Sequence, residues 1–544
     1  MTWKTFYLRH LTDEDLRLLE GFSDYLGKET QGHKFVLNLK RATAHGLSSQ
    51  EVLEILDKFG VQLSQEERRE LQESLDFDVF FELEGDKLIV RAKVDLSQVL
   101  KRFRVSIPYD RLRRRFVTHP YYYHILRRIF KSSSLRVRGL DLSFSNFQVG
   151  LNVELREYQR EALDAWKRNG MRGVISLPTG AGKTLIGLGA IREAGSSTLI
   201  VTFTNEQLRQ WLDSLKSSLS GTPKVGIFYS KKKEISPITV TTYQSAIRHL
   251  KELSPSFKLL IIDEAHHLPA EKFKNIALGL VAPYRMALSA TPFRSDGKHV
   301  ELFRLMGGLV YYKPLEELVS RGYLANFRVI QVKLPLTVQE RERYITLLTR
   351  FRSLSKGRMI RELVNALQKG DVEAAEALRV HNEMRMLTAL TQAKLNKIRE
   401  IVELNKEKKV VIFTQYVEHA ETISRFLGSL LLTGKMSKGD RVRVLEEFKE
   451  SKKGVLVLTT VGDEGLDIPD ANVGIIVAGT SSKRQFIQRL GRLLRNSSGD
   501  KTAILYELIT QGTSEEYQAK KRKSITMEEM FYSLLDDDTK KKSE

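Results

Sequence analysis

The sequence predicts an α/β protein built from two parallel-sheet domains in tandem, with a small α+β domain before them and a helical insert between them. Short apolar runs alternate with helical patterns from residue 155 to about 325 and again after residue 393, which is typical of parallel sheets. Residues 335–392 are rich in charge and show only helical spacing. We therefore expect five regions: 1–150, 151–325, 326–334 joined to 393–512, 335–392, and a tail over 513–544.

Composition limits the function classes. Lysine and arginine outnumber aspartate and glutamate by 88 to 67 among the 544 residues, and the formal net charge of +21 favours a polyanionic partner. A basic soluble protein without such a partner would show the same excess. The chain has no cysteine, which excludes disulfides and cysteine-based metal sites. Because there is no long apolar run and no apolar signal-peptide core, we expect a cytoplasmic protein with no membrane contact.

The first region predicts the small α+β domain. Its patterns indicate helices over 52–59 and 65–75, and strands over 79–81 and 88–94 on either side of the turn Glu84-Gly85-Asp86.

Residues 101–138 form a basic segment, in which twelve lysines or arginines face one acid, Asp110. Tyrosines and phenylalanines lie between the charges, and such a mixture can neutralise phosphates while its rings stack on bases. A packed aromatic face with a solvated basic edge would leave the same pattern. We predict DNA contact in this segment, with the candidate residues Arg113, Arg114, Arg115 and Tyr122.

A glycine-containing loop joins an apolar run at 174–177 to a helical pattern at 185–193. The glycines let the backbone curl around a phosphate, and the new helix points its positive end at the same anion. Lys183 can reach the β and γ phosphates, and the Thr184 hydroxyl can hold Mg²⁺. The general phosphate-loop pattern has glycine at Leu177, so the match is to a Pro-Thr-Gly-x-Gly-Lys-Thr variant. The predicted ATP-binding residues here are Pro178, Thr179, Gly180, Ala181, Gly182, Lys183 and Thr184.

An acidic pair follows the apolar strand predicted at 259–262. Asp263 at the end of this strand can hold Mg²⁺ facing the phosphates, and Glu264 can orient the attacking water. No third ligand accompanies His266 and His267, so we predict that His266 couples the nucleotide site to neighbouring loops. The tripeptide Ser289-Ala290-Thr291 follows the next strand and gains meaning only from its place in this order.

A basic helix is predicted at 488–495. Gln488, Arg492 and Arg495 are spaced to share one face. Arginines on such a face can reach a γ-phosphate held by the other domain and stabilise the charge that develops during transfer.

Six patterns in order between residues 155 and 495 resemble the motif set of superfamily 2 helicases. They are Leu155-Arg156-x-Tyr158-Gln159, the phosphate loop, Asp263-Glu264-Ala265-His266, Ser289-Ala290-Thr291, residues 459–469, and residues 488–495. The resemblance implies two RecA-like motor domains with ATP and Mg²⁺ as cofactors. It also implies adenine recognition by Gln159 in a motif that brings Arg156 to the ATP site, coupling through Ser289 and Thr291, and ribose contact and nucleotide sensing by Gly465 and Asp467.

A narrower resemblance is to the XPB family, which are translocases and helicases of nucleotide excision repair and, in eukaryotes, of TFIIH. It rests on the Asp-Glu-Ala-His-His run, the run at 488–495, the thumb-like insert and the size of the N-terminal region. The chain has Arg294-Ser295-Asp296 where the family has Arg-Glu-Asp, so the middle acid is missing. The resemblance implies a 3′ to 5′ DNA helicase acting in repair. The compact length resembles archaeal XPB and implies an N-terminal damage-recognition domain and a nuclease partner.

We predict that Arg294 and Asp296 act in strand separation, because Pro292 should place them on a loop leaving the first motor domain. The insert carries a basic set that includes Arg350 and Arg352 and is suited to gripping a DNA backbone. A surface loop and a helical spacer are the alternative.

Three hypotheses of function remain as alternatives to the DNA helicase. A duplex translocase of restriction-motor type would never separate strands, and an ATP-gated DNA-binding scaffold would not hydrolyse ATP. Lys183, Glu264, Arg492 and Arg495 argue against the scaffold, which does not need all four. RNA could replace DNA, since backbone contacts discriminate the two poorly.

Overall fold

The computed structural model describes residues 4–142, 144–230, 232–293, 296–324, 327–459, 471–478, 503–517 and 519. Two compact units divide the chain. Unit 1 comprises Met1–Ser145, Ile247–Lys258 and Asn275–Pro283, and unit 2 comprises Asn146–Ala246, Leu259–Lys274 and Tyr284–Glu544.

Unit 1 contains two small sheets. The first is antiparallel with the strand order β1-β3-β2, and its strands are β1 (Thr5–Leu8), β2 (Ser23–Glu29) and β3 (Gly32–Leu37). The second has the order β6-β7-β5-β4-β8, with strands β4 (Val79–Glu84), β5 (Lys87–Ala92), β6 (Tyr109–Asp110), β7 (Arg115–Thr118) and β8 (Val137–Arg138). The helices in this part of the chain are α1 (Asp13–Glu20), α2 (Leu39–Ala44), α3 (Ser49–Lys58), α4 (Gln65–Leu75), α5 (Ser97–Arg102) and α6 (Tyr123–Ser132).

Each sheet of unit 1 has its own hydrophobic core. Phe22 and Phe35 belong to the first core, whereas Phe81 and Phe130 belong to the second. The predicted α+β composition is present, and this part of the chain has two hydrophobic cores. The first sheet escaped prediction because β2 leaves most of its residues exposed or half-buried, so its apolar alternation is weak.

The first sheet of unit 2 has eight strands in the order β14-β13-β15-β11-β16-β17-β10-β18, and every neighbouring pair is parallel except β13 and β14. Its strands are β10 (Arg172–Ser176), β11 (Thr198–Thr202), β13 (Val225–Tyr229), β14 (Lys232–Lys233), β15 (Ile238–Thr242), β16 (Leu259–Ile262), β17 (Tyr284–Ser289) and β18 (Leu309–Tyr312). The short strands β9 (Gly150–Leu151) and β12 (Leu219–Ser220) pair separately.

Helices connect these strands as expected for parallel neighbours. They are α7 (Glu157–Arg168), α8 (Lys183–Ala194), α9 (Asn205–Ser218), α10 (Tyr243–Arg248), α13 (His299–Met306) and α14 (Leu315–Ser320). Two further helices, α11 (Leu250–Leu253) and α12 (Lys274–Leu278), also lie between these strands in sequence, but α11 and nearly all of α12 fall in the segments assigned to unit 1. The central strands β11, β15 and β16 are buried throughout, which explains their continuous apolar and threonine runs.

The second sheet of unit 2 has six parallel strands in the order β19-β24-β23-β20-β22-β21. They are β19 (Phe327–Leu334), β20 (Lys409–Thr414), β21 (Leu430–Leu432), β22 (Gly454–Thr459), β23 (Val473–Ile476) and β24 (Ala503–Thr510). Strand β19 lies at the edge of the sheet. The helices that accompany this sheet are α18 (Gln392–Leu404), α19 (Val417–Leu427) and α20 (Lys438–Glu450). The prediction of two parallel α/β sheets is confirmed.

The insert between the sheets, predicted to be helical, has three helices, α15 (Val338–Ser355), α16 (Ile360–Gln368) and α17 (Val372–Ala389). The chain breaks between α15 and α16 because Lys356 and Gly357 take left-handed conformations. Met384 and Val380 of α17 pack against Tyr344 and Leu347 of α15.

A buried lysine anchors the base of the insert. The Nζ atom of Lys394 donates to the carbonyl oxygens of Thr388 at 2.9 Å and Val477 at 2.7 Å, and to Oε2 of Glu515 at 2.8 Å. Burial lowers the pKa of Lys394, while Glu515 opposes that shift. The end of α17, the end of β23 and the segment after β24 are thus held together by one charged group.

In the described part of the chain, no helix is long and apolar enough to cross a membrane.

Candidate nucleotide-binding site

The phosphate loop lies between β10 and α8. Gly180 and Gly182 have φ values of 87° and 71°, a left-handed region that favours glycine. A Cβ atom at Gly182 would also lie 2.5 Å from Nε2 of Gln159, so a side chain here would displace the Gln159 amide. Because α8 begins directly after Gly182, its first N–H groups and the positive end of its dipole lie at the loop.

The side chains of the loop supply a cation and hydroxyls. Lys183 folds back so that its Nζ donates to the carbonyl oxygens of Leu177 at 3.1 Å and Pro178 at 3.2 Å. The Thr179 hydroxyl is buried with no hydrogen-bond partner in the described residues. A buried hydroxyl without a partner, an ammonium group and the first N–H groups of a helix fit a phosphate chain. Thr184 occupies the second position of α8 and is half-buried beside them.

Helix α7 is tied to this loop. Tyr158 Oη and Gln159 Nε2 both donate to the carbonyl oxygen of Ala181, at 2.8 and 3.0 Å, and Gln159 Oε1 accepts the N–H of Arg156 at 2.9 Å. The Arg156 guanidinium donates to the carbonyl oxygen of Tyr323 at 2.7 Å. Gln159, the residue predicted to recognise adenine, therefore lies against the phosphate loop, where it and Tyr158 hold the Ala181 carbonyl group.

The acidic pair follows the end of β16. In the sheet, only β17 separates β16 from β10, the strand that leads into the phosphate loop. Asp263 Oδ2 accepts the indole N–H of Trp211 at 2.9 Å, and Oδ1 accepts the N–H of Glu264 at 2.9 Å. Glu264 has φ 46° and ψ 49°, a left-handed conformation that costs a residue other than glycine about 1–3 kcal/mol. Such strain is typical of a catalytic side chain whose direction is imposed by its surroundings.

His266, Ser289 and Thr291 form one network with Glu264. Nδ1 of the fully buried His266 lies 3.3 Å from Glu264 Oε2 and 3.3 Å from Ser289 Oγ. Ser289 Oγ in turn accepts the N–H of Thr291 at 3.2 Å. The three residues predicted to couple the site to neighbouring loops are thus brought into a continuous chain that ends on the candidate catalytic carboxylate.

Two aromatic residues that the sequence did not single out hold the acidic segment. Tyr243 Oη donates to the carbonyl oxygens of Asp263 at 3.2 Å and Glu264 at 3.4 Å. Burial, with the nearby Asp263 and Glu264 carboxylates, raises the pKa of Tyr243, so its hydroxyl keeps its proton. Trp211 is buried above Gly187 of α8, where a Cβ atom would lie 2.4 Å from its ring. Trp211 therefore links the acid to the phosphate-loop helix.

Replacing Trp211 by phenylalanine should reduce Mg²⁺ affinity or turnover by about 10–100-fold, as outer-shell hydrogen bonds to metal ligands commonly do. The ring volume is largely kept, but Asp263 loses the indole donor that fixes its carboxylate. Mg²⁺ titration of ATP hydrolysis and Mn²⁺ binding followed by electron paramagnetic resonance measure the effect, with thermal unfolding as the control for folding. An unchanged metal dependence would show that the indole N–H serves folding alone.

Several predicted site residues lie outside the described residues, namely Arg294, Gly465, Asp467, Gln488, Arg492 and Arg495. Asp296 is exposed in the turn before α13, where its Oδ1 accepts the N–H of Lys298 at 3.2 Å.

The candidate DNA contacts differ in exposure. Arg113 and Arg114 are exposed, and Tyr122 is half-buried. Arg115 is only 7% exposed, and its guanidinium pairs with Glu84 at 2.7 Å, so its position makes it an anchor of its hairpin and not a DNA contact.

In the insert, Arg350 pairs with Glu376, whereas Arg352 is exposed and has no ion pair in the described residues. Lys356 and Arg358 of the same basic set pair with Glu373 and Asp371. Pairing within the insert therefore reduces the charge available to a DNA backbone.

A phosphate loop and an acidic pair on one parallel sheet, followed by a second parallel sheet, define a nucleotide-dependent motor of the helicase class. Two family models match the chain: "Type III restriction enzyme, res subunit" over residues 152–294 and "Helicase conserved C-terminal domain" over residues 393–497. These two matches correspond to tandem RecA-like domains, which use ATP.

Comparison with individual proteins identifies the family within the helicase class. The DNA 3′-5′ translocase XPB2 of Sulfurisphaera tokodaii is 38% identical over 378 residues, which cover 68% of this chain and 85% of that protein. The DNA 3′-5′ helicase XPB of Mycobacterium tuberculosis is 29% identical, over 71% of this chain and 66% of that protein. The general transcription and DNA repair factor IIH helicase/translocase subunit XPB/SSL2 of Saccharomyces cerevisiae is 26% identical, over 70% and 44%. The chain belongs to the XPB family of DNA helicases and translocases.

Proposed function

We propose that this protein is an ATP-driven 3′ to 5′ DNA helicase or translocase that acts in DNA repair, such as nucleotide excision repair, or in transcription. The observation that carries the proposal is the network from Glu264 through His266 and Ser289 to Thr291, because it joins a candidate hydrolytic group to a loop beyond the ATP site. Motor domain 1 is assigned to residues 151–325, and motor domain 2 to 326–334 with 393–512.

Each residue at the site has a role that follows from its position. Lys183 and the N-terminal N–H groups of α8 bind the phosphates, and Thr184 and Asp263 hold Mg²⁺. Bound Mg²⁺ would neutralise charge on the transferred phosphoryl group. Glu264 orients the attacking water, and its contact with His266 lets the state of the site reach Thr291. Gln159 and Arg156 recognise the adenine end, and Gly465 and Asp467 sense the nucleotide.

The proposal is tested by ATP hydrolysis rates with single-stranded, duplex, forked and damaged DNA, and with RNA. DNA-stimulated hydrolysis is expected, and its absence would favour an ATP-gated scaffold. Strand displacement measured beside triplex displacement separates a helicase from a duplex translocase of restriction-motor type, which displaces only the triplex strand. Purification of bound proteins and a nuclease assay on them test the nuclease partner that the sequence resemblance to archaeal XPB implies.

Replacing Arg492 or Arg495 by alanine should lower kcat more than it raises KM for ATP. The proposed finger arginines, with Gln488 predicted from its spacing to share their face, contact charge that develops in the transition state, and such fingers supply about 10³–10⁵-fold in rate. Steady-state kinetics of each variant give the two constants. An effect on KM alone would assign these arginines to ground-state ATP binding.

Arg294, Asp296 and the insert are proposed to act in strand separation. Two variants test this role: the double change Arg294→Ala and Asp296→Ala, and a separate deletion of residues 341–388. Each should lower the rate of forked-duplex unwinding much more than it lowers the rate of DNA-stimulated ATP hydrolysis. Both activities are measured on the same preparation. Equal losses would indicate a defect in folding or domain closure. Ser295→Glu restores the family's middle acid and should change unwinding if that charge contributes.

A further inference from the structure

The hairpin of β6 and β7 in unit 1 has an unusual tip. Glycine, asparagine, aspartate and proline dominate turns, yet the four tip residues 111–114 read Arg-Leu-Arg-Arg. Leu112 is 98% exposed, and Arg114 adopts φ 47°, a conformation that glycine favours. Departures from local preference are expected where function, not folding, selects the residues.

The base of this hairpin is firmly held. Asp110 and Arg115 are register partners, and the buried Arg115 guanidinium lies 2.7 Å from Glu84 and 3.6 Å from Asp110. Asp110 Oδ1 also accepts the N–H of Arg113 at 3.2 Å. The tip is therefore presented from a fixed base, and Leu112 is held in solvent.

Charge surrounds the exposed leucine. Arg111, Arg113 and Arg114 are all exposed, and among the described residues the one ion pair of their guanidinium groups joins Arg113 to Glu84 at 4.0 Å. An aliphatic side chain flanked by cations is complementary to DNA, because the apolar group can lie between two stacked bases while the cations contact the phosphates on either side. Architectural DNA-binding proteins insert leucine between bases in this way, while arginines hold the backbone.

We propose that the hairpin tip inserts Leu112 between neighbouring bases of DNA and unstacks them, with Arg111, Arg113 and Arg114 on the flanking phosphates. This inference rests on the proposed DNA activity and adds a contact made outside the motor domains. Base steps that are already poorly stacked are the favoured sites, because unstacking them costs less.

The test compares Leu112→Ala with Leu404→Ala, which makes the same change at another leucine, 73% exposed, at the end of α18. The probe is a duplex with 2-aminopurine beside one mismatched pair, and binding is read by fluorescence and by titration. The wild type and Leu404→Ala should raise the fluorescence equally. Leu112→Ala should lose most of that rise and bind about fivefold more weakly, as expected for losing part of a buried aliphatic side chain.

A second variant separates charge from insertion. Arg114→Gly relieves the left-handed strain, so its fold should be at least as stable, but it removes one phosphate contact. The slope of the logarithm of the DNA-binding constant against the logarithm of salt concentration should become less steep by about 0.9. The fluorescence rise at saturation should be kept. This result would support separate roles for leucine and arginine.

Equal fluorescence and affinity for the wild type, Leu112→Ala and Leu404→Ala would overturn the inference. So would an effect of Leu112→Ala confined to binding of phosphatidylserine vesicles, which would assign the tip to a membrane surface. Hydrolysis of ATP stimulated by single-stranded DNA is measured in parallel. If the wild type shows normal stimulated hydrolysis while Leu112→Ala leaves DNA binding and fluorescence unchanged, the inference alone fails. If the wild type shows no stimulated hydrolysis, the proposed function fails.

Discussion

Replacing Lys183 by alanine is expected to abolish ATP hydrolysis while leaving DNA binding largely intact. The Lys183 ammonium group lies over the loop, 3.1 and 3.2 Å from the carbonyl oxygens of Leu177 and Pro178, where phosphate charge must be neutralised. Losing a preorganised charge stabiliser in an enclosed site lowers turnover by about 10²–10³-fold or more. The basic segment 101–138 is unaltered, so affinity for DNA should change little. Steady-state hydrolysis and DNA titration of the same preparation measure the two properties.

The matched control is Lys216→Ala in the last turn of α9, which removes the same charge from an exposed position of the same unit. It should hydrolyse ATP at the wild-type rate. Thermal unfolding shows whether Lys183→Ala folds, since two loop carbonyls lose a donor. Hydrolysis near the wild-type rate in folded Lys183→Ala would mean that the phosphate site has been placed wrongly.

The sequence predicted the buried part of the fold well. Strand β16 matches its predicted bounds at both ends, because a strand covered on both faces forms a continuous apolar run that turn residues interrupt. Strand β18, in contrast, is half-buried along its whole length, and β13 alternates between buried and half-buried residues. Neither produces a run that stands out from its neighbours, so both were missed.

The candidate site divides in the same way. Residues contiguous in a motif, such as Gly182 and Lys183, could be assigned because a local pattern sets their geometry. Trp211 could not, because its bond to Asp263 joins residues 52 positions apart and depends on how α9 packs on the sheet. Charge counting also could not show the ion pairs of Arg115 with Glu84 and of Arg350 with Glu376, because these acids are distant in sequence or on another helix.

Replacing Glu264 by glutamine is expected to produce a protein that binds ATP but hardly hydrolyses it. The amide keeps the shape of the side chain and keeps an oxygen that can face Nδ1 of His266, now 3.3 Å from Glu264 Oε2. It cannot accept a proton from water, and general-base groups contribute about 10²–10⁴-fold. Binding of a fluorescent ATP analogue, beside single-turnover hydrolysis, should show bound nucleotide accumulating. Glu271→Gln, at a side chain 71% exposed in the same region, should behave as the wild type.

The backbone at Glu264 makes this experiment specific. Because φ is 46°, a change that merely relaxed the segment would move Asp263 as well, and nucleotide binding would then fall together with hydrolysis. Glutamine carries the same backbone preference as glutamate, so the strain and the Asp263 position should be kept, and only the chemistry at the carboxylate should change. Weak ATP binding by Glu264→Gln would therefore contradict the proposed water-orienting role and assign Glu264 to holding the metal or the loop. Tight binding with slow hydrolysis would leave the carboxylate itself as the group that the reaction requires.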